Sequence, residues 1–478
     1  MIRHLPLILA VFLALVLFLI PLPFGGVTPW AASWTQILCF LGLSLALVRA
    51  RSMAYFKPVR APALALGAIA LLGTLQALAW PAGLVGWISP EHLEAHRATA
   101  EMIGKGKGEV ISSGAPHLSL APEVSRRVAL GWAALAALVA VAGVVGRHRW
   151  HRRALAGGLL AAAFFQIFYG ARRWLSGLTT IWGVEVPGSS DRLRGTFVNP
   201  DHLALFLEIG LAVVFAWSWW ALRQSARRHR WERRLLLVGP PLICWCFLFV
   251  ALAFTGSRAG LVAAVIGVAV QTFLLLWLDG RHRWRAVGVG LGAVVIGLLA
   301  IGVTGARFGF GRLLATSPYE VTFGARFEAI RSSLTLWQEY PWLGTGLGTF
   351  RDAFPVVQPL TIRGGSWRHA HSDVVELGVT TGVLGCLLFA TGLAFLLVHL
   401  VRVLRWGWSS EDRAAGLAAL GAIAAVGAHE WVDFGLTMPA NSLALAVVCG
   451  AAAAARLDLE KVTSPGVKRT GAKDSSSR

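Results

Sequence analysis

Apolar runs of membrane-spanning length alternate with shorter polar segments along most of the chain. A helix that crosses a bilayer needs about 20 mainly apolar residues, and roughly twelve runs approach or reach that length. We therefore predict an all-α polytopic membrane protein with about 12 transmembrane helices. The predicted spans are 5–22, 30–48, 62–80, 128–146, 154–171, 200–222, 235–254, 258–278, 286–304, 376–400, 414–433 and 438–455.

The composition agrees with this pattern. Of the 478 residues, 56% are hydrophobic and only 14% are charged, which is too little polar surface for a soluble protein. The net charge is +20, an excess that in a soluble protein would suggest nucleic acid as a partner. Here most basic residues lie in short loops between apolar runs, so we predict membrane lipids as partners and no nucleic acid.

The basic loops alternate along the chain, as one consistent topology requires. Cytoplasmic loops of membrane proteins carry the excess of lysine and arginine, so we expect these loops and both termini to be cytoplasmic. The longer loops 81–127, 172–199 and 305–375 then face outward, where functional residues are expected. The basic segments are 49–60, 147–153, 223–234, 281–285, 402–413 and the residues after 456.

These features divide the chain into five predicted parts. They are N-terminal helices with the first outer loop (1–127), central helices (128–304), a long outer loop (305–375), C-terminal helices (376–456) and a disordered cytoplasmic tail (457–478).

The long outer loop contains two local patterns. Phe323, Phe327, Ile330, Leu334 and Trp337 recur at steps of 4, 3, 4 and 3, which predicts one face of a short amphipathic helix. This helix is expected to pack on the bundle, the alternative being a position at the membrane boundary. The glycine-rich segment 344–349 lacks the strand-to-helix context of a phosphate-binding loop, so we predict a tight turn.

A polar cluster precedes the run that begins at residue 376. Asp373 and Glu376 are spaced like an N-cap and its return partner, so a helix should begin there. A helix N-terminus disfavours protonated imidazole and the carboxylates favour it, which makes His371 a candidate base at physiological pH. In an extended backbone, the side chain of His369 would point elsewhere. The alternatives are a histidine that only hydrogen-bonds at the helix end, or a divalent-metal site of His369, His371 and Asp373, for which no second ligand cluster is evident.

Arginines lie beside apolar sequence at the predicted outer face. An arginine at mid-bilayer costs about 2.5–3.5 kcal/mol and needs a partner or a water-filled cavity. The planar guanidinium binds phosphate oxygens in pairs, so Arg192, Arg194 and Arg258, on the side of His371, are expected to bind an anionic lipid phosphate. The alternative partners are lipid headgroups and the carboxylates of Asp191, Asp201 and Glu208.

Two further polar groups lie in or beside spans. Glu208 lies about two turns into the sixth span, and carboxylates inside a membrane are functional candidates. His429, Glu430 and Asp433 cluster at the outer end of the eleventh span. We expect them to pair with one another or with a basic neighbour rather than to catalyse a reaction.

Four blocks of sequence, within about residues 62–455, resemble the O-antigen ligase and O-antigen polymerase superfamily of bacterial envelope membrane proteins. The strongest is YPWLGTGLGTF at 340–350, followed by His371-Ser372 and, nine residues later, by GVLG at 382–385. This is similar to the pattern His–(Asn/Ser/Gln)–x9–Gly of the family. The weaker blocks are 192–202, 255–261 and 432–441, the last of which resembles exopolysaccharide polymerases.

The resemblance implies a glycosyltransferase of the bacterial inner membrane with a periplasmic active site. The donor would be a glycan on undecaprenyl diphosphate, and the acceptor a saccharide or lipid A core hydroxyl. The transfer would invert the anomeric carbon and use no cofactor. The alternative is a transporter or flippase of lipid-linked glycan. The sequence does not distinguish a ligase from a polymerase.

The resemblance also implies roles for particular residues. By position, His371 is the expected base, and Arg194 and Arg258 are the expected diphosphate contacts, with Arg326 as a further one. Family members often have asparagine after a single histidine, so His369 stays an alternative base. The expected substrate-binding set is Arg194, Arg258, Arg326, Arg192, His369 and Asp373, and no metal ligand is expected.

Overall fold

The chain is mostly helical in the residues described by the computed structural model, which are 5–50, 52–107, 114–186, 192–225, 230–278, 323–362, 367–458 and the single positions 288, 290, 292 and 295. One short hairpin pairs β1 (Thr180–Ile181) with β2 (Val184–Glu185). The α-helices are α1 (Leu5–Leu19), α2 (Pro29–Arg49), α3 (Arg60–Gln76), α4 (Ala82–Ile88), α5 (Pro90–Lys107), α6 (Pro122–Val145), α7 (Arg149–Leu175), α8 (Pro200–Ser225), α9 (Trp231–Phe254), α10 (Arg258–Leu278), α11 (Phe323–Glu339), α12 (Phe350–Ala353), α13 (Asp373–Trp406), α14 (Ser410–His429) and α15 (Pro439–Ala453).

The predicted class, an all-α polytopic membrane protein, is confirmed. Eleven of the twelve predicted spans coincide with helices, and eight helices in the described part of the chain are long and apolar enough to cross a membrane. These eight are α2, α3 with the turn before it, α6, α7, α8, α9, α10 and α13. The ninth predicted span, 286–304, lies outside the described residues except for the four single positions, as do 305–322, the tail from 459 and Asp191.

Helix α8 lies at the centre of the half of the bundle that carries the site. It is buried at nearly every position, because its sequence is apolar on all sides and other helices surround it. Helices α9, α14 and α10 pack against it, and α14 also packs against α10 and α13. Small residues permit close approach elsewhere: a Cβ on Gly146, the C-cap of α6, would lie 2.4 Å from the Cα of Ala451 in α15.

The basic loops meet at one end of the bundle. At the start of α14, Asp412 binds Arg152 (2.6 Å) and Glu411 binds Arg153 (2.8 Å) of α7. Gln224, near the end of α8, donates to the Ser410 hydroxyl (2.9 Å). These described loops are therefore grouped as the charge pattern predicts, whereas the basic segment 281–285 lies outside the described residues. The cytoplasmic location of this end stays a prediction.

The amphipathic helix of the long outer loop is present as α11 and packs against α13. The face that packs overlaps the predicted one only in part. Ile330 and Trp337 of the predicted face pack against the cluster that includes buried Ala329 and Leu336, whereas Phe327 is 59% exposed and Leu334 is 40% exposed. Gly378 of α13 leaves room for the Trp337 ring, which a Cβ at that position would meet at 2.7 Å.

The glycine-rich segment after α11 forms the predicted tight turn. This part of the chain also hydrogen-bonds to backbone groups of α13 at a break in that helix. Gly382 interrupts the helix with a φ of +62°, a conformation that costs glycine little. The freed Val383 N–H donates to the Pro341 carbonyl (2.8 Å), and the Val379 carbonyl accepts from Thr345 N–H (2.8 Å). Backbone groups released inside a membrane protein need such partners, so the turn and the GVLG segment depend on each other.

Candidate functional site

Two of the polar segments singled out in the sequence are joined at the end of the bundle opposite to the basic loops. Leu193 N–H donates to the Phe254 carbonyl (3.0 Å). Arg192 Nε donates to the Thr255 carbonyl (2.6 Å). The segment before α8 and the segment between α9 and α10 therefore form one surface.

Asp201, in the first turn of α8, connects this surface to α11 and to the loop after α14. It forms ion pairs with Arg192 (2.5 Å) and Arg326 (3.5 Å) and is almost fully buried. Arg326 also donates to the Val432 carbonyl (3.3 Å), and its Nε has no hydrogen-bond partner. The alternative considered for the arginines, pairing with a carboxylate, thus holds for Arg192.

The start of α13 is hydrogen-bonded to the loop that follows α14. Asp373 N–H donates to the carbonyls of Glu430 and Asp433 (3.1 Å each), and the Asp373 carboxylate accepts from Leu436 N–H (3.0 Å). The Ser372 hydroxyl donates to the Glu430 carbonyl (3.3 Å). These bonds fix the segment that carries His371 against the cluster of His429, Glu430 and Asp433.

The start of α13 differs by one residue from the prediction. Ser372 is the N-cap, and its hydroxyl accepts from Val375 N–H (3.4 Å), so Asp373 is the first helical residue. Glu376 does turn back, and its carboxylate accepts from Ala370 N–H (3.0 Å). Serine can cap as well as aspartate, and the bonds of Asp373 to the loop after α14 hold it inside the helix.

His371 lies in an aromatic pocket and faces a buried carboxylate. Its φ is +55°, uncommon outside glycine, and residues held in such conformations are frequent at functional sites. Its ring contacts Trp367 and Phe434 edge to face, at centroid distances of 5.2 and 4.9 Å. Nδ1 has no hydrogen-bond partner and lies 4.0 Å from Asp433 Oδ1.

The surroundings of His371 keep its imidazole neutral. Burial and the positive charge of Arg326 lower its pKa to about 4, and Asp433 opposes them only in part. The sequence made His371 a candidate base from the balance of helix end and carboxylates. In the structure, burial is the main cause that keeps its imidazole neutral at pH 7.

Asp433 carries the negative charge of the site. Burial alone would raise the pKa of its carboxyl group, but the contact with His429 and the charges of His202, His429 and Arg326 hold the pKa below its usual range. Oδ1 also accepts from Phe434 N–H (3.0 Å). An ionised carboxylate therefore stands beside a neutral imidazole.

A line of polar side chains continues from Asp433 into the centre of the bundle. Asp433 Oδ2 lies 3.6 Å from His429 Nε2, and His429 Nδ1 lies 2.7 Å from Glu208 Oε1. Glu208 and His429 are at most 1% exposed. The expected pairing within the cluster of His429, Glu430 and Asp433 is thus present between His429 and Asp433. His429 also pairs with Glu208, the intramembrane carboxylate of α8. At its other end, this line of polar side chains reaches His371.

His369 lies close to His371, in contrast to the expectation that its side chain would point elsewhere. Its ring stacks on Phe434 with centroids 4.4 Å apart, and Nδ1 lies 3.1 Å from Glu376 Oε1. The positive φ of His371 turns the chain, so both imidazoles reach the same phenyl ring. His202 contacts that ring as well (4.8 Å).

The structure places Arg194 and Arg258 in the joined segments before α8 and α10. Arg194 is 4% exposed and donates to the Val198 carbonyl (3.3 Å). Arg258 is exposed at the first position of α10, next to Ser257, whose hydroxyl accepts from Gly260 N–H (3.1 Å). Among the arginines singled out in the sequence, Arg326 is the one whose charge acts on His371.

The metal site considered for His369, His371 and Asp373 finds no support in their partners. His369 lies against Glu376, His371 faces Asp433, and the Asp373 carboxylate accepts from Leu436 N–H. Within the described ranges, no group of three or more His, Cys, Asp or Glu side chains is arranged to hold a metal ion.

Phe434 and the approach of Asp433 to His371 were not predicted. The sequence did contain a signal for the contact of His429 with Asp433, because residues four apart lie on one side of a helix. It contained none for the contact of Asp433 with His371. In the structure α14 ends at His429, and the loop that follows brings Asp433 to His371.

A comparison with protein families finds one match. Residues 242–390 match a family model described as O-Antigen ligase. The matched segment runs from α9 into α13 and includes Arg258, Arg326 and His371, while Asp201 and Asp433 lie outside it. No curated protein matches the chain.

Proposed function

We propose that the chain is a membrane glycosyltransferase of the O-antigen ligase kind, to whose family model residues 242–390 are similar, and that its activity takes place at the cluster around His371 and Asp433. The observation that carries this proposal is a neutral, buried imidazole against an ionised carboxylate, with Arg326 beside them. A general base, a group that orients it and a cation for a leaving phosphate are the parts that such a transfer needs.

The proposed donor is a glycan linked to a lipid diphosphate, such as undecaprenyl diphosphate, and the proposed acceptor is a hydroxyl of a saccharide or of lipid A core. The diphosphate lies against Arg258, Arg326 and the loop held by Arg194. Exposed Arg258 is at a helix N-terminus, which favours phosphate. Arg192 is bound to Asp201 and Thr255, so its role is to hold these loops together.

The reaction is a single displacement. The acceptor oxygen attacks the anomeric carbon as His371 takes the hydroxyl proton, and the bond from that carbon to the diphosphate breaks. The leaving diphosphate keeps the electron pair, and fixed guanidinium groups stabilise its growing charge. With Nδ1 facing Asp433, Nε2 is the nitrogen that accepts the proton, and the resulting imidazolium is stabilised by the carboxylate.

The pH dependence tests the role of His371. A protonated His371 cannot act as a base, so kcat/KM should fall only as the pH drops through about 4, far below the value near 6.5 of an ordinary histidine. Asp433→Asn removes a charge that raises the pKa and should move this midpoint down. Arg326→Gln removes a charge that lowers the pKa and should move it up.

The measurement is kcat/KM for glycan transfer from about pH 3 to about pH 8, a range that brackets both histidine pKa values. Samples returned to neutral pH must regain activity, which separates titration from unfolding. A wild-type midpoint near 6.5, or shifts in the same direction in both variants, would contradict the assignment.

The donor contact is tested by Arg258→Ala. Hydrogen bonds to charged groups contribute about 1.5–3 kcal/mol, so kcat/KM for the lipid-linked donor should fall about 10- to 150-fold. The matched control is Arg127→Ala, an exposed arginine in the first turns of α6, which should keep wild-type kinetics. Equal activity of both variants would exclude Arg258 as a diphosphate contact.

A further inference from the structure

A cavity of about 220 Å³ lies between the start of α5 and the turn that follows α11. One wall is formed by residues 88–92 and the other by residues 340–344. Pro90 begins α5 directly after Ser89, because proline favours the first position of a helix and an extended residue before it. The proposed roles of His371 and Asp433 make no use of this cavity.

The cavity lies at the end of the bundle that carries the proposed active site. Gln76, the last residue of α3, donates to the Leu343 carbonyl (2.7 Å) and accepts from Leu347 N–H (3.0 Å). These bonds fix the turn after α11 to the end of α3. Because α3 begins beside the basic segment 49–60, its other end lies away from the basic loops, as His371 does.

Three polar side chains are linked in the first wall of the cavity. The Ser89 hydroxyl donates to Glu91 Oε2 (3.0 Å) and lies 2.8 Å from His92 Nδ1. His92 is 2% exposed, and its Nε2 has no hydrogen-bond partner; the Thr345 carbonyl, which is nearby, accepts from Leu120 N–H (2.9 Å). Burial lowers the pKa of His92 to about 4, so the imidazole is neutral at pH 7. A buried polar atom without a partner in the wall of a cavity calls for a bound polar group.

Aromatic rings form much of the second wall. The Tyr340 ring is 6% exposed and meets the His92 ring edge to face, with centroids 4.7 Å apart, so the two walls are in contact. Trp342 also lines the cavity and is 69% exposed. Its backbone is held in place, because the Trp342 carbonyl accepts from Leu384 N–H of α13 (3.2 Å). An indole fixed at its backbone but open to solvent is available to a ligand.

The surroundings of the cavity are negative. The lining residues include the carboxylate of Glu91 and neither lysine nor arginine. Burial and the charges of Glu339, Glu91 and Glu94 raise the pKa of the Tyr340 phenol to about 12. A negatively charged ligand would be repelled here, because like charges brought together in a binding site cost affinity.

A sugar ring suits this lining better than an ion does. Sugar hydroxyls both donate and accept, so they can partner the Glu91 carboxylate or the neutral imidazole of His92 in either tautomer. The C–H faces of a sugar ring are apolar and pack against aromatic rings such as those of Tyr340 and Trp342. In the part of the chain that the structure describes, no group of His, Cys, Asp or Glu side chains is arranged to hold a metal ion.

We propose that this cavity is a subsite for one uncharged sugar unit of a glycan substrate, an inference that rests on the proposed transfer at His371. The turn that forms its second wall binds α13 at Val379, where Thr345 N–H donates to the carbonyl (2.8 Å). Between Asp373 and Val379 the helix rises about 9 Å, a distance that a short oligosaccharide spans. The subsite therefore holds a sugar that is not itself reacting and keeps the chain in place for the reaction.

The direct test measures sugar binding to the full-length protein in a detergent without a sugar headgroup. The probes are the methyl glycosides of glucose, galactose and mannose, with glucuronic acid as the anionic comparison, and binding is followed by saturation-transfer NMR. We expect a neutral probe to bind at least about tenfold more tightly than glucuronic acid, because the carboxylate of the acid is repelled. No lipid-linked donor is present, so this result does not depend on glycan transfer.

Two variants test the two kinds of contact. Trp342→Ala should weaken binding of the neutral probe about tenfold, because an aromatic surface is lost. Its matched control is Trp87→Ala, which changes an indole that is 82% exposed at the end of α4 and does not line the cavity. Glu91→Gln removes the charge and should let glucuronic acid bind about tenfold more tightly. Its control is Glu185→Gln, at an exposed carboxylate of β2. Both controls should bind like the wild type.

Failure of the subsite can be told apart from failure of the proposed transfer. No binding of any neutral probe, equal affinity for glucuronic acid, or equal effects of Trp342→Ala and Trp87→Ala would overturn the sugar subsite. In glycan transfer, Trp342→Ala should raise KM for one of the two saccharide substrates about tenfold and leave kcat unchanged, as loss of uniform binding does. An unchanged KM for both substrates would remove the cavity from the reaction. Probe binding by a wild-type protein that transfers no glycan would instead overturn the proposed transfer and leave the sugar site.

Discussion

Replacing His371 by asparagine is expected to lower the rate of glycan transfer by about 10²- to 10⁴-fold, the usual contribution of a general base. Asparagine is the informative substitution because it tolerates the positive φ of this position better than other side chains without a titratable group. His371→Ala should lose as much activity, but it adds backbone strain. The measurement is transfer of radiolabelled glycan from a lipid-linked donor by purified protein.

His369→Asn is the matched control for this experiment. His369 shares the Phe434 ring with His371 but lies against Glu376, whereas Nδ1 of His371 faces Asp433. We therefore expect the His369 variant to keep activity within about tenfold of wild type, a limit far below the loss expected for a base. If His369→Asn loses far more activity than His371→Asn, then His369 is the base. Wild-type activity in both variants would remove the imidazole from the mechanism.

The same assay separates glycan transfer from lipid transport. Formation of a new glycosidic bond by the wild type, absent in His371→Asn, supports the enzyme. Movement of lipid-linked glycan across vesicles without any such bond would instead favour a transporter or flippase. The size distribution of the product then distinguishes a ligase from a polymerase, because a polymerase yields a ladder.

The spans were predictable because their signal is local. Twenty apolar residues in sequence suffice to define a crossing, and alternate basic loops fix which ends lie together. The grouping of Arg192, Arg258 and His371 at one end follows from that alternation alone. Within that end, which arginine lies near the imidazole depends on where α11 docks, so the effect of Arg326 on His371 needed the structure.

The contact between His429 and Glu208 could not be predicted from the sequence either, but for a different reason. His429 and Glu208 are 221 residues apart, and their contact depends on the rotation of α14 against α8, two helices that are apolar on nearly all sides. Such helices have no periodic pattern to show which side faces a partner. The N-cap at Ser372 and the positive φ of His371 likewise result from tertiary bonds to the loop after α14.

The buried pair of Glu208 and His429 should have the largest effect on stability. Removing one member of a buried pair leaves the other without its partner and typically costs about 3–5 kcal/mol. Both side chains are almost fully buried and 2.7 Å apart, so Glu208→Leu or His429→Leu should lower the free energy of unfolding by about that amount. The measurement is reversible unfolding in mixed micelles.

The double variant Glu208→Leu/His429→Leu distinguishes a structural pair from a functional one. Replacing both members of a buried pair by apolar side chains is often neutral or stabilising, so the double variant should unfold with a free energy closer to wild type than either single variant. Because each single loss is about 3–5 kcal/mol, this corresponds to a coupling energy of more than about 3 kcal/mol. Its transfer activity should nevertheless stay low, because Asp433 has lost the imidazole that contacts its Oδ2. A double variant with restored stability and full activity would confine the pair to holding α8 against α14. Additive losses of stability would show that the two side chains do not form a pair.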